Sequence, residues 1–269
     1  MVKNNLFAGK EISCGPLIIA HRGASAHAPE NTLAALQMAV ETQADGVEFD
    51  VRLAKDGVPV VIHDETLART ALRKGKIADF TSVELGKIDV GSWFNTKYSK
   101  RANSAFGRET IPTLAQAMQQ LHGFGGLIYI ELKVCDGVFR ELSEAVCGII
   151  NKSPILPQII VKSFKLAVIP EVRNHIPDIQ TAALFEPTIL DYLRRRRHII
   201  ARARECGADQ ISLHRSLITP KLASLASELQ MPVTVWTVDD PAWLKRCRKL
   251  GIKALITNDP VKMLNARRF

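Results

Sequence analysis

The chain has 269 residues and a mass of 29.7 kDa, so folding can bury about three quarters of its extended surface without disulfide or metal staples. Hydrophobic residues at 46%, charged residues at 23% and a mean hydropathy of +0.03 exclude a disordered, collagenous or coiled-coil chain. Thirty-six Lys and Arg against 27 Asp and Glu give a net charge of +9, which favours an anionic partner (phosphate, nucleic acid or a lipid surface) without choosing among them.

Five cysteines, Cys14, Cys135, Cys147, Cys206 and Cys247, form no CxxC and no Cys/His zinc spacing. Such an odd, dispersed set is expected of reduced thiols in a cytoplasmic protein. The N-terminal stretch MVKNNLFAGKEISCGP is too polar for a signal peptide. The longest apolar run near it, 17–20, falls far short of the ~20 residues that span a bilayer. The expectation is a soluble protein without a transmembrane segment.

In chain order, 17–20 (LIIA) reads as a strand, and 31–42 follows with Leu33, Leu36, Ala39 and Val40 at helical spacing. Residues 47–53 (VEFDVRL) read as a strand. Asp56-Gly57 signals a hairpin turn into 58–62 (VPVVI). Residues 64–110 hold no clean strand–helix unit. They mix Phe80, Trp93, Phe94, Tyr98 and Phe106 with polar residues, and Thr81 with Glu84 forms a capping-box pattern. A structureless loop of that length would be unusual, so an inserted subdomain is expected there. A helix at 113–122 follows Ile111-Pro112. Strand candidates then come at 127–131, 159–163, 180–185, 210–213, 232–237 and 254–257, separated by helical stretches such as 137–151, 188–205, 219–230 and 240–250.

Strands alternating with helices of this length imply parallel pairing. The run after Asp56-Gly57 is too close to its predecessor for that, so those two should form an antiparallel hairpin. Without the return strand, eight remain: 17–20, 46–52, 127–131, 159–163, 180–185, 210–213, 232–237 and 254–257. The expected fold is an α/β TIM (β/α)8 barrel, with 1–269 as one domain and the insertion after the second-strand hairpin. An open doubly wound sheet is the weaker alternative, because no GxGxxG follows the first strand.

Chemistry in such a barrel sits at the C-terminal strand ends. There the sequence places His21-Arg22-Gly23, Glu48 and Asp50, His63-Asp64, Glu131 and Lys133, Ser163-Phe164, Trp236 and Asn258-Asp259. Glu48 and Asp50, two apart on a strand, share a face. With Asp56-Gly57 as a two-residue loop, Asp50 pairs with His63 and brings the imidazole to that face. Glu48, Asp50 and Glu131 together suit a hard dication, Mg²⁺ or Ca²⁺, which would relieve their mutual repulsion. The plainer alternatives are a polar strand face with a solvated histidine, and a Glu131–Lys133 ion pair. His21 and His63 form a candidate acid/base pair. Arg22 and Lys133 offer positive charge to a phosphate. The remaining histidines, His27, His122, His175, His198 and His214, are assigned to solvent or structure. The combination describes a phosphoryl-transfer site.

At HRGASAHAPENT, EFDVRLAKDGVPVVIHDETL, IPTL, IELK, SF and VWTVDD the chain resembles the glycerophosphodiester phosphodiesterase family, over about residues 16–265. The resemblance implies a TIM barrel with an insertion after the HD motif. It implies a catalytic pair His21 and His63, and metal ligands Glu48, Asp50 and Glu131. Arg22 and Lys133 become phosphate contacts, Trp236 part of the glycerol-pocket wall, and Glu30 the residue orienting the first-strand loop. One departure is Thr257-Asn258 where many members have Thr-Asp. The implied reaction is metal-dependent hydrolysis of glycerophosphodiesters to sn-glycerol 3-phosphate and an alcohol, with water or first the glycerol 2-hydroxyl attacking phosphorus.

Other readings stay open. A related enzyme could act on lysophospholipids, with 64–110 deciding the matter, or the barrel could bind phosphate without catalysis. The aromatics of that segment read as a small core rather than a substrate wall. The basic run 194–197, with Arg202 and Arg204, reads as a solvated helix face. It carries no nucleic-acid signature, and an anionic membrane surface is the better second reading. Oligomeric state is left open.

Overall fold

A computed structural model describes residues 15–134, 137–187 and 197–268. Eight strands run parallel: β1 (Leu17–His21), β2 (Gly46–Leu53), β4 (Leu127–Leu132), β5 (Ile159–Ser163), β6 (Gln180–Phe185), β7 (Gln210–His214), β8 (Val233–Trp236) and β9 (Ala254–Thr257). They neighbour one another in chain order, and β1 pairs with both β9 and β2, so the sheet closes into the expected barrel. A short strand, β3 (Pro59–Val61), runs antiparallel to the C-terminal end of β2.

Both faces of these strands are buried, which is why they read as apolar runs. In β2, Val47, Phe49 and Val51 face outward into the helix layer, while Glu48 and Asp50 alternate inward. The lower half of the barrel interior is filled by Leu17, Ile19, Leu127, Tyr129, Ile160, Ala182, Ala254 and Ile256. Inward charge is therefore confined to the upper half, at the C-terminal strand ends.

Helices α1 (Leu33–Glu41), α4 (Leu114–Gln120), α5 (Phe139–Ile150), α6 (Val168–His175), α7 (Arg197–Glu205), α8 (Pro220–Glu228), α9 (Ala242–Leu250) and α10 (Pro260–Arg267) cover the barrel. Their starts follow the caps. Thr32 accepts from the Ala35 N–H, so α1 begins at Leu33 rather than at residue 31. Thr113 and Gln116 form a capping box that starts α4. The helical stretch 188–205 is described only from Arg197. Residues 188–196, Cys14 and Cys135 lie outside the described residues. No helix among the described residues is long and apolar enough to cross a membrane.

Between β3 and α4 lie two short helices, α2 (Ser82–Leu85) and α3 (Ser92–Lys97), and several 3-10 turns. The Thr81–Glu84 capping box forms as the sequence predicts. Ile62, Leu67, Ile77, Leu85 and Ile88 pack on Val60 as one small core. Trp93, Phe94 and Phe106 pack on Ala28 and Ala35 as another, so these aromatics are core and not an open wall. Tyr98 lies at the rim, with its ring 4.9 Å from that of Phe94.

The β2–β3 hairpin corrects one expectation. Val51 faces Val61, Arg52 faces Val60 and Leu53 faces Pro59, so Asp50 meets Ile62 and not His63. The Ile62 N–H donates to the Asp50 carbonyl at 3.0 Å. The loop has three residues, Lys55-Asp56-Gly57, with Gly57 in the left-handed region at φ 74° and its N–H on the Ala54 carbonyl. One extra loop residue slips the register by one and exchanges the faces. His63 reaches the site because the chain leaves the ladder after Ile62. Its carbonyl is held by Arg52 Nε at 2.7 Å.

Candidate active site

The parallel register sets the level of each inward side chain. His21 stands beside Glu48, Asp50 beside Glu131, Glu131 beside Lys162, and His214 beside Trp236. Glu48, Asp50 and Glu131 are all buried, and one carboxylate oxygen from each lies within 4.8 Å of the others.

Three cations hold this cluster. Lys162 Nζ lies 2.7 Å from Glu48 Oε1 and 3.4 Å from Glu131 Oε2. Lys133 pairs with Glu131 and lies 3.3 Å from Asp50 Oδ1. Arg22 Nε lies 3.3 Å from Asp50 Oδ2, and its backbone N–H donates to Glu48 Oε2. Asn31 grips Asp50 from both sides: its Nδ2 donates to the carboxylate at 2.9 Å and its Oδ1 accepts the Asp50 N–H. Burial pushes the Asp50 carboxyl up, but Arg22 and Lys133 overcome it and hold the group well below the usual carboxylate range. Burial also acts on Glu48, where the Lys162 ammonium outweighs it and leaves the carboxyl low. At Glu131 burial prevails and the carboxyl is raised.

The loop after β1 needs unusual backbone. Arg22 and Asn31 are left-handed at φ 56° and 58°, strained conformations of the kind stored at functional sites. Gly23 has φ 78°, and a Cβ there would sit 2.5 Å from the Ala35 backbone. The HRG tripeptide thus requires glycine both for its turn and for the approach of α1.

Each candidate histidine has one orienting partner. His21 Nδ1 lies 2.7 Å from Asn258 Oδ1. Asn258 Nδ2 and N–H both donate to Asp239, as does the Thr257 hydroxyl. Asp239 can only accept, so the amide oxygen must face His21, and His21 Nδ1 carries the proton. Its Nε2 is then the free lone pair, 3.9 Å from Glu48 Oε2. Burial, then Arg22, lowers the His21 pKa and favours the neutral ring. His63 Nδ1 instead lies 2.7 Å from Asp64 Oδ1. Asp64 Oδ2 accepts from Arg69 Nε at 2.6 Å, and Arg69 forks onto Glu30 with two bonds of 2.7 Å. Glu30 also accepts from Arg22 Nη1 at 2.6 Å. Arg69 thus ties the two loops together through a single guanidinium.

Trp236 meets Phe164 edge-on at 5.7 Å and His214 at 5.3 Å, forming an aromatic side to the mouth. Its buried indole N–H has no hydrogen-bond partner among the described residues. Lys133 Nζ stands 5.5 Å over the Phe164 ring. His27 pairs with Asp259 at the α10 cap, a structural role as expected.

The structure therefore gathers His21, Arg22, Glu48, Asp50, Glu131 and Lys133 into one cluster at the strand ends. His63 is close enough for its charge to act on Asp50, and Trp236 stands beside Lys133's neighbour Phe164. The sequence reading missed Lys162, Arg69 and Asp239. Lys162 did carry a signal: a lysine two residues after Ile160, on the inward face of an otherwise apolar strand.

A closed parallel barrel with buried carboxylates, cations and two imidazoles gathered at its C-terminal strand ends defines a protein of the TIM-barrel class with its chemistry at the strand ends. The model of the Glycerophosphoryl diester phosphodiesterase family matches residues 21–262, and the chain belongs to that family. A glycerophosphodiester phosphodiesterase of Caldanaerobacter subterraneus is 33% identical over 251 residues, covering 93% of this chain and 96% of the relative. Among solved structures, an Oleispira antarctica phosphodiesterase in complex with the product sn-glycerol-3-phosphate aligns with TM-score 0.83. It is 28% identical, over 96% of this chain and 98% of that one. A glycerophosphodiester phosphodiesterase from Agrobacterium tumefaciens aligns with TM-score 0.74 at 25% identity, over 93% and 99% of the two chains.

Proposed function

We propose that this enzyme hydrolyses glycerophosphodiesters to sn-glycerol 3-phosphate and an alcohol, with His21 and His63 as its acid/base pair and a divalent cation in the carboxylate cluster. The observation that carries the reading is one strand-end cluster in which His21 Nε2 stands 3.9 Å from Glu48 beside an Asp50 held by Arg22 and Lys133. The cations that hold Asp50 are the same ones that would meet phosphate. The product held by the Oleispira relative supports the substrate class.

The donor set fits a hard dication: three buried carboxylates, one oxygen of each within 4.8 Å of the others. Glu48, Asp50 and Glu131 would hold it, and when bound it supplies positive charge to the phosphoryl oxygens. Arg22 and Lys133, 17% and 14% exposed, reach the mouth and orient the phosphate. The neutral ring of His21 can take the nucleophile's proton at Nε2 while Asn258 holds Nδ1–H. His63, steadied by Asp64, delivers a proton to the leaving alkoxide. Trp236 and Phe164 wall off the glycerol end. The chain is proposed to act as one barrel domain, with the segment between β3 and α4 as its insertion. Cys147, Cys206 and Cys247 are all free thiols, which supports a reducing, cytoplasmic setting.

The test is release of glycerol 3-phosphate from glycerophosphocholine and glycerophosphoethanolamine, with Mg²⁺, with Ca²⁺ and with EDTA. Release that EDTA abolishes is expected. His21→Ala and His63→Ala should each lower kcat about 10²- to 10⁴-fold with a much smaller change in KM. Turnover unchanged in either variant removes that histidine from the mechanism.

A further inference from the structure

We propose that Lys162 is a built-in counter-ion of the carboxylate cage, a fixed ammonium that shares Glu48 and Glu131 with the divalent cation and limits how tightly that cation is held. The inference deepens the metal reading given above and rests on it.

Lys162 is the deepest cation of the cluster. Its side chain is 2% exposed, against 17% for Arg22 and 14% for Lys133. It rises from β5 one step from Glu131 in the sheet register and spans two of the three carboxylates. From there it cannot reach outward to a phosphate as Arg22 and Lys133 can. Its position serves the cage itself.

Charge pairing gives this position its consequence. Lys162 stands against Glu48 and Glu131, Lys133 against Glu131 and Asp50, and Arg22, shared with Glu30, against Asp50. Every carboxylate of the cage thus has a cation against it before any ion enters, so the fold does not depend on a metal to relieve carboxylate repulsion. Removing one partner of a buried ion pair is strongly destabilising, because the other charge stays buried without compensation. An entering dication meets carboxylates already paired with cations, and a fixed like charge a few ångströms away where screening is weak. Ligand charge sets divalent affinity, so Lys162 lowers it.

Lys162→Gln and Lys162→Met in the full chain test this. Mg²⁺ and Ca²⁺ binding to metal-stripped protein is measured by titration calorimetry, alongside Tm with and without each ion. Both variants should bind at least tenfold more tightly than the wild type. Both should melt lower than the wild type when metal-free, with saturating ion closing the gap. Equal or weaker ion affinity in the variants overturns the proposal. So does a raised KM with unchanged ion affinity, which would make Lys162 a phosphate contact, and so does misfolding that neither ion restores. Binding by the variants alone, with none by the wild type, upholds the counter-ion while removing the metal from the native mechanism. Absence of binding in both removes both.

Discussion

Two imidazoles face one mouth, and each is steered by a chain of two further groups. For His21 the chain is a neutral amide backed by a carboxylate; for His63 it is a carboxylate backed by a guanidinium. Asp239 touches neither histidine, yet it decides which way the Asn258 amide points. Asp239→Ala should therefore lower kcat about 10- to 100-fold with little change in KM, measured by steady-state kinetics on glycerophosphocholine. A kcat within twofold of wild type would show that Asn258 holds its orientation alone. The departure at Thr257-Asn258 is explained at this scale, since the amide both receives Asp239's control and offers an oxygen to the ring. Arg69→Gln should cost kcat/KM about tenfold or more, because both Asp64 and Glu30 lose their common partner. Arg69→Lys should recover little, since an ammonium cannot fork onto two carboxylates. Parity of Arg69→Lys with wild type would argue that charge alone suffices. The motif residues His21, Arg22, Glu48, Asp50, Glu131 and Lys133 were legible in the sequence because strand alternation and strand-end position fix their level. Arg69 and Asp239 were not, because their partners lie on other loops and no local period links them.

At the scale of elements, strand order was readable but pairing offset was not. Asp56-Gly57 announces a turn, yet nothing local distinguishes a two-residue from a three-residue loop, and the whole face of β3 depends on that choice. Helix starts were legible where a Thr cap precedes them, as at Thr81 and Thr113. Helix α6 is short, with Pro170 in its first turn, and periodicity alone does not single it out. The segment after β3 stands on Leu67, which is fully buried among Ile62, Ile77 and Leu85. Leu67→Ala should cost about 2–5 kcal/mol of unfolding free energy in a urea titration. A loss below about 1 kcal/mol would mean the small core collapses around the gap. On the helices, burial pushes the Cys147 thiol of α5 and the Cys247 thiol of α9 up to about 12. Mass mapping after maleimide treatment at neutral pH should find both unlabelled in the native protein and labelled in denaturant. Native labelling of either would reveal local opening of its helix.

For the whole molecule, closure of eight strand–helix units was legible from their rhythm alone, and the charge balance adds a pH dependence. Burial raises Glu30, Asp64 and Asp259, but Arg69 with Arg22, Arg69 with His63, and His27 respectively more than offset it, leaving each carboxyl below its ordinary value of 4.5 or 3.8. Such groups bind protons more readily in the unfolded chain. Their stabilisation is complete above the ordinary values and is lost as pH falls through the lower, folded ones. Tm should fall gently below pH 6.5, where the unfolded chain protonates His21 more readily than the fold does, and more steeply below pH 4.5, with a shallower acid drop in Arg69→Gln. A Tm that rises on acidification would contradict these ion pairs.

The segment between β3 and α4 begins and ends at one place. Val60 bridges Thr113, and the Val61 N–H donates to the Pro112 carbonyl at 2.8 Å, so residues some fifty positions apart in the chain meet on a single strand. The seam behaves like a clasp. Whatever is threaded between its two halves can lengthen, shorten or be exchanged while the barrel keeps its circumference. Arg69 tethers the near half of that excursion to the mouth, and Trp93, Phe94, Phe106 and Arg101 pin its far half to the loop after β1 and the start of α1, so the excursion braces the very loop that carries Arg22.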